Sequence, residues 1–258
     1  MQDNQAINKA RALYYNLFAN FFVYSKESEK YFELIRLINI LKENPLDVSS
    51  GKALENISNS LDATSNVELV QEYDNLFHNP KNEKIRTTAS YYDEGVESGK
   101  KRVEMIQFLG KTKIRRDEKE FFEYEDSIGF ILSVMAELTN LVASDEKVYE
   151  NTVHCIFGEI LNDFIDEFAK DVYENKSAVI YKELMVVLHS FVEFERLYLE
   201  ISKPKVKEKT TKVESCDVIS DAELERRAKN KALKANGPKN KQDDEEPKDI
   251  VFDVESEV

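Results

Sequence analysis

The 258-residue sequence lacks tryptophan and contains only two cysteines and three histidines. Cys155 and Cys216 form neither a Cys-x-x-Cys pair nor a disulfide framework, which is typical of a protein in the reducing cytosol. His78, His154 and His189 lie far apart, and none has a carboxylate at the spacing of an HExxH or ExxH metal site. We therefore expect no bound metal and no other cofactor.

Basic residues are outnumbered by acidic ones: 36 Lys and Arg against 50 Asp and Glu give a deficit of positive charge and a formal net charge of −14. The deficit falls on residues 1–202, which hold 23 basic and 36 acidic residues, whereas residues 203–258 hold 13 and 14. An acidic surface repels nucleic acid and anionic membranes. We expect no nucleic-acid partner, no stable membrane association, and a partner that carries basic residues.

Long apolar runs are absent as well. No segment approaches the roughly 18 consecutive apolar residues of a membrane span, and residues 1–10 lack the basic-then-apolar order of a secretion signal. Arg115-Arg116 and Arg226-Arg227 are internal and no apolar run follows either pair, so we expect no twin-arginine export signal in this chain. These features favour a cytoplasmic location.

Helix-breaking residues are scarce in residues 1–202, which contain two of the five prolines and six of the seven glycines. Apolar residues recur there at intervals of three and four, which is typical of amphipathic helices. No strand is expected. Helices are predicted over residues 4–23, from 28 to a stop at Pro45, from 65 or 66 to 77, over 90–109, 127–143, 146–157 and 159–173, and from a cap at Ser177 through Leu197.

Aromatic residues divide the chain into two regions. Of the 27 Phe and Tyr residues, only Phe252 lies beyond residue 202, so residues 1–202 can form a core and residues 203–258 cannot. The second region is predicted to be a charged linker and tail, largely disordered, with a possible helix at 221–236 that begins with the capping box Ser220-Asp-Ala-Glu223.

Enzyme motifs are nearly absent. The segment from Gly95 to Lys101 imitates a phosphate-binding loop, but it has three residues between its glycines instead of four, and no Ser or Thr follows its lysines. The sequence therefore does not predict an enzyme.

Three segments combine acidic and aromatic residues. Residues 72–80 and 90–95 are rich in Tyr, Phe and acids, and residues 123–126 place three carboxylates directly before the most apolar predicted helix. Carboxylates at a helix N-terminus are stabilised by the helix dipole and by free backbone N–H groups. Alternatively, they could receive a cationic peptide beside an aromatic cleft whose apolar walls take its hydrophobic part. The residues alone leave both interpretations open.

Taken in order, these segments resemble the TorD/DmsD/NarJ family of redox-enzyme maturation chaperones. The resemblance covers about residues 8–200 and departs from the family at Ser127, where histidine is frequent. The elements that carry it are Arg11-Ala-Leu-Tyr14-Tyr-Asn-Leu-Phe18-Ala, the Tyr-x-x-Leu-Phe pattern at Tyr73–Phe77, Pro80, Ser90-Tyr91-Tyr92, Glu125-Asp126-Ser127-Ile128 with Glu137-Leu138, and Phe164-x-x-Phe168 followed by Tyr181.

The resemblance implies a single TorD-like helical bundle of roughly 8–11 helices, with chaperone rather than enzyme activity. Such a protein binds the twin-arginine signal peptide and the body of a molybdoenzyme precursor and assists cofactor insertion before export; formate dehydrogenase is the preferred client. Monomers and segment-swapped dimers are both compatible with it. An alternative is a helical scaffold or adaptor that binds a folded basic partner.

The resemblance also suggests a signal-peptide site. Glu125 and Asp126 are predicted to receive the arginines, with Ser127 beside them in the position of the family histidine. Phe77, Tyr91 and Tyr92 are predicted to form the walls of the cleft.

Overall fold

The computed structural model describes residues 2–25, 27–79, 84–119 and 121–204. Within these ranges it contains ten α-helices and no strand, which confirms the all-α prediction. The predicted tail and its helix at 221–236 lie outside the described residues from position 205 onward. The helices are α1 Gln2–Phe22, α2 Ser28–Glu43, α3 Val48–Ser60, α4 Val67–Tyr73, α5 Ala89–Glu94, α6 Lys100–Gly110, α7 Ile128–Ala143, α8 Glu150–Ile156, α9 Asn162–Glu174 and α10 Ile180–Tyr198.

Two π-helical turns interrupt this pattern. Asp74–His78 continues α4, and Phe157–Leu161 joins α8 to α9. Such turns are rare and occur frequently at functional sites. No helix in the described ranges is both long and apolar enough to cross a membrane.

Helices α1 and α7 pack together along their lengths and form the centre of the core. Both helices bury a continuous apolar face, which on α1 includes Tyr15, Leu17 and Phe18. At Gly129 the backbones approach so closely that a Cβ atom would lie 2.7 Å from the Phe22 carbonyl oxygen. A larger side chain there would push the start of α7 away from the end of α1.

A buried ion pair joins α1 to α10. Arg11 donates from Nε and Nη2 to the two carboxylate oxygens of Glu195, at 2.6 and 2.7 Å, and from Nη1 to Asn8. The hydroxyl of Tyr15 also donates to Glu195, at 2.6 Å. Both charged groups are almost fully buried, so each depends on the other for compensation.

Helix α3 and a break in the middle of the chain differ from the sequence prediction. Helix α3 was not predicted because Ser49, Ser50 and Gly51 give its first turn little helical propensity. A capping box between Asp47 and Ser50 nonetheless stabilises the start of α3.

The prediction of a single helix over residues 90–109 is wrong. Gly95, at φ 73°, ends α5 in the left-handed region, and α6 begins only at Lys100.

The start of α10 also differs, since Ser177 does not cap it. The carboxylate of Glu72 accepts hydrogen bonds from the N–H groups of Val179, Ile180 and Tyr181 at 2.7, 3.1 and 2.9 Å. Helix α10 is therefore capped by a side chain more than 100 positions earlier in the chain, which no local pattern indicates.

Candidate functional site

Asp126 and Ser127 stabilise the first turns of two helices. Asp126 is fully buried; its Oδ2 accepts a hydrogen bond from the Ser90 N–H at 2.9 Å, near the start of α5, and its main-chain oxygen accepts one from the Ala89 N–H, also at 2.9 Å. Ser127 is the N-cap of α7, and its Oγ accepts from the Phe130 N–H at 3.4 Å. Burial raises the pKa of Asp126, against the lowering effect of its bonds to Ser90.

Glu125 is already paired inside the chain. Its two carboxylate oxygens accept hydrogen bonds from Arg102 Nε at 2.7 Å and Arg116 Nε at 2.9 Å. Burial alone would raise the pKa of Glu125, but the two guanidinium groups outweigh it and lower the pKa. An incoming arginine would have to displace one of these partners.

The predicted aromatic residues differ in their exposure. Phe77 is part of the core, at 1% exposure, and stacks on Phe168 with ring centroids 6.4 Å apart. Tyr92 is partly buried, packs against the same Phe168 and donates its hydroxyl hydrogen to Asp171 at 3.1 Å. Tyr91 is 38% exposed. Hydrogen bonds join the segment of Glu125, Asp126 and Ser127 to the start of α5, which carries Tyr91 and Tyr92. Tyr91 alone among the six predicted residues has an exposed side chain.

A second group of residues, which was not assigned to the site from the sequence, lies at the edge of the core, where Tyr73 is buried and Tyr24 and His78 are exposed. We call Tyr24, Tyr73, Asp74, His78 and Glu123 the tyrosine–acid cluster. The three rings are mutual neighbours, with centroids 5.1–5.3 Å apart. The π-helical turn brings Asp74 Oδ1 within 2.8 Å of His78 Nδ1. The Tyr73 hydroxyl lies 3.4 Å from Glu123 Oε1, which joins the aromatic group to the acidic segment before α7.

Few hydrogen-bond donors reach the carboxylate of Glu123. Among the described residues its Oε2 is buried without a hydrogen-bond partner. Burial raises the pKa of Glu123, although the Ser127 hydroxyl, His78, Tyr73 and Lys84 each act to lower it. A carboxylate in this state gains from a donor supplied by a ligand.

Part of the tyrosine–acid cluster could have been predicted. Tyr73 opens the Tyr-x-x-Leu-Phe pattern, and Glu123 opens the acidic run that ends at Asp126. Tyr24, by contrast, is 49 positions from Tyr73 and belongs to no motif. Its position becomes evident only when the end of α1 is seen beside α4.

Two cavities lie elsewhere on the molecule. One, of about 580 Å³, is lined by residues of α9 and α10 and by the start of α3, and the other, of about 510 Å³, follows the surface between α1 and α7. Neither contains a predicted site residue or a member of the tyrosine–acid cluster. No group of three or more potential metal ligands occurs in the part of the chain that the structure describes.

Residues 43–170 match the family model described as nitrate reductase delta subunit. That range includes all six predicted site residues and, except for Tyr24, the whole tyrosine–acid cluster. A crystal structure from Archaeoglobus fulgidus, described as a proposed redox enzyme maturation protein, is similar over 72% of this chain and 93% of its own, with 19% identity and a TM-score of 0.45. No curated protein is significantly similar in sequence.

The family defines a class of helical maturation chaperones rather than catalytic enzymes. The chain belongs to the TorD/DmsD/NarJ family of redox-enzyme maturation chaperones, as its motifs suggested.

Proposed function

We propose that this chaperone binds the twin-arginine signal peptide of a molybdoenzyme precursor and assists cofactor insertion before export. The observation that carries the proposal is the tyrosine–acid cluster, which combines tilted and edge-on ring contacts with a carboxylate whose Oε2 has no hydrogen-bond partner among the described residues. It lies next to the segments that resemble the family motifs. The acidic composition of residues 1–202 supports a basic ligand.

The geometry of the tyrosine–acid cluster suits a guanidinium group. A planar guanidinium can stack on an aromatic face and donate two parallel hydrogen bonds to a carboxylate. Tyr24 offers an exposed ring that packs against the buried Tyr73, and Glu123 offers a carboxylate whose Oε2 has no hydrogen-bond partner in the described part of the chain. Asp74, paired with His78 at the edge of the same cluster, adds a second negative charge within the same surface.

The six residues predicted from the sequence take supporting roles in this proposal. Asp126 and Ser127 fix the segment that carries Glu123, because they are bonded to the starts of α5 and α7. Glu125 anchors the same segment through its two arginines. Phe77 and Tyr92 support the site from the core, and the exposed Tyr91 is available for ligand contact.

A direct test measures the binding of synthetic peptides to the full-length protein by isothermal titration calorimetry. One peptide carries two adjacent arginines followed by an apolar segment, and its partner replaces both arginines by lysines. We expect the arginine peptide to bind several-fold more tightly, and its affinity to fall as salt is raised. Equal affinity for the two peptides at every salt concentration would contradict the proposal.

A second measurement addresses the client and the alternative function. The tagged chaperone should recover a molybdoenzyme precursor, with a formate dehydrogenase as the preferred client, from the cytoplasm of its source cells. Recovery should depend on the precursor's signal peptide. Recovery of a folded basic protein that has no such signal would favour the scaffold or adaptor instead.

A further inference from the structure

A small pocket lies beside the tyrosine–acid cluster, between the end of α1 and helices α2 and α4. We call it the α2–α4 pocket. Tyr24 and Tyr73 belong both to the cluster and to the lining of this pocket. Leu34 on α2 and Leu69 and Val70 on α4 contribute aliphatic side chains to the lining. Because two residues are shared, the pocket is continuous with the proposed arginine site.

Tyr73 connects the α2–α4 pocket to the carboxylate of Glu123. It lines the pocket, and its hydroxyl lies 3.4 Å from Glu123 Oε1 and 3.3 Å from the main-chain oxygen of Phe22. Tyr24, whose ring centroid is 5.1 Å from that of Tyr73, lines the same pocket. A ligand bound at Glu123 therefore lies within about the length of one tyrosine side chain of the pocket.

The polar groups that line the pocket have partners within the chain. The hydroxyls of Tyr31 and Tyr181 donate to main-chain carbonyl oxygens at 2.7 and 2.6 Å. Asn20 donates to a main-chain oxygen one turn earlier, at 2.8 Å, and Lys30 forms an ion pair with a glutamate at 3.3 Å. The pocket thus offers a ligand mainly ring and aliphatic surface. Such surface favours an apolar group, because a polar group would lose its hydrogen bonds to water there.

The volume of the α2–α4 pocket, about 40 Å³, limits what it can hold. A single water-sized group requires roughly 10–15 Å³, so there is room for about three such groups. That number corresponds to the branched end of a valine or leucine side chain, whereas an aromatic ring is larger. The pocket therefore matches a small aliphatic side chain.

The separation between the pocket and the carboxylate fits the spacing of an extended peptide. Side chains two positions apart in such a peptide point to the same side and are roughly 6.5–7 Å apart, which is similar to the length of a tyrosine side chain. An arginine that reaches Glu123 thus presents the side chain two positions away to the pocket. In a signal peptide, the apolar residues are those that follow the basic ones.

We propose that the α2–α4 pocket binds an aliphatic side chain of the signal peptide, two positions beyond the arginine that Glu123 binds. The inference rests on the proposed function and adds a specificity determinant to it. Glu123 recognises the charge of the ligand, and the pocket recognises the size of the apolar side chain that follows. Val70 lines the pocket but lies outside the core, so its size can be changed to test this division.

A leucine scan with synthetic peptides tests the pocket. Each peptide carries two adjacent arginines followed by alanines, and one leucine replaces the alanine at the first, second or third position after the arginines. Calorimetric titration of the full-length protein should show about tenfold tighter binding, as burial of one leucine implies. The gain should occur at the first or the second position, according to which arginine Glu123 binds, and not at the third. Phenylalanine at the favoured position should lose most of the gain.

Substitutions of Val70 change the pocket in both directions. Val70→Phe fills it and should abolish the advantage of leucine over alanine. Val70→Ala enlarges it and should shift the preference from leucine towards phenylalanine. Val148→Phe is the matched control, since Val148 is 76% exposed in the turn before α8, and it should preserve the leucine advantage. Circular dichroism and thermal melting verify that each variant is folded.

The results that would overturn the pocket differ from the result that would overturn the proposed function. Equal affinity for the alanine and leucine peptides, or a gain at the third position alone, refutes the pocket even if arginine still binds more tightly than lysine. A leucine advantage that persists in Val70→Phe refutes this location for it. A twin-arginine peptide that binds no better than its lysine counterpart refutes the proposed function, and this inference with it.

Discussion

The substitution Glu123→Gln keeps the shape of the side chain and removes its charge, so it separates ligand recognition from stability. A hydrogen bond to a charged group contributes about 1.5–3 kcal/mol. At about 1.4 kcal/mol per factor of ten, its loss should weaken binding of the twin-arginine peptide by ~10- to 100-fold. The lysine peptide, which cannot use the carboxylate in a bidentate manner, should lose less.

The same substitution should stabilise the free protein at pH 7. The pKa of Glu123 is raised by burial, so the folded chain holds this carboxyl group's proton more tightly than the unfolded chain does. The charged form therefore destabilises the fold above the raised pKa, and the penalty vanishes below the unfolded pKa. Glu123→Gln should raise the melting temperature at pH 7 and should change it little near pH 4.

Calorimetric titration and thermal melting of the same preparations provide both measurements. Glu137→Gln is the control, because Glu137 is exposed on α7 and the substitution changes the net charge equally. Affinity of the unaltered protein should also fall as pH is lowered through the raised pKa of Glu123, and the Gln variant should lack this dependence. A Glu123→Gln variant that is destabilised at pH 7 and binds normally would refute the reasoning, since Glu123 would then be a structural residue.

Three further predictions concern stability. Asp126→Ala should lower the free energy of unfolding by about 1 kcal/mol, as for a lost helix cap, and should weaken peptide binding less than Glu123→Gln does, because the fully buried Asp126 acts only through the segment that carries Glu123. Glu72→Ala should lower it by ~3 kcal/mol or more, because the three N–H groups of residues 179–181 lose their acceptor. Arg11→Met should lower it by ~3–5 kcal/mol, since Glu195 is left as an unpaired buried charge, and adding Glu195→Gln should restore part of the loss. Urea unfolding checks all three, and a change below about 0.5 kcal/mol in any of them would contradict the role assigned to that side chain.

Helical periodicity was sufficient to predict most of the fold. Long helices such as α1 and α7 present apolar residues at regular intervals, and their burial follows the pattern. Helix α3 was missed because its stability comes from packing of Ala53, Leu54 and Ile57 against neighbouring helices rather than from local propensity. The break at Gly95 was missed because glycine inside a helical pattern indicates either a tolerated residue or a stop, and only the backbone angle decides.

The candidate site was less predictable because burial of acidic residues is a tertiary property. The run of residues 123–126 shows three carboxylates in sequence, but not that each faces a different environment. Glu125 forms ion pairs with two arginines, and Asp126 accepts a hydrogen bond from a backbone N–H group. Glu123 lies beside aromatic rings and accepts a hydrogen bond from the Tyr73 hydroxyl. Since Arg102 and Ser90 approach from α6 and α5, no local pattern distinguishes these roles.

The different environments of the buried acids decide which of them can act on a ligand. Glu72, Glu125 and Glu195 each have donors from within the chain, so their charge is already compensated. Glu123 and Asp126 both have a raised pKa and a buried oxygen with no hydrogen-bond partner among the described residues, a state that costs free energy in the isolated protein. Asp126 is fully buried, whereas Glu123 is only partly buried. Buried polar groups that lack hydrogen-bond partners are frequently found at functional sites, because a bound ligand can supply the missing hydrogen bonds. An incoming guanidinium would supply a positive charge and a donor for Glu123 Oε2, which is why recognition is assigned to this carboxylate rather than to the compensated Glu125 or the fully buried Asp126.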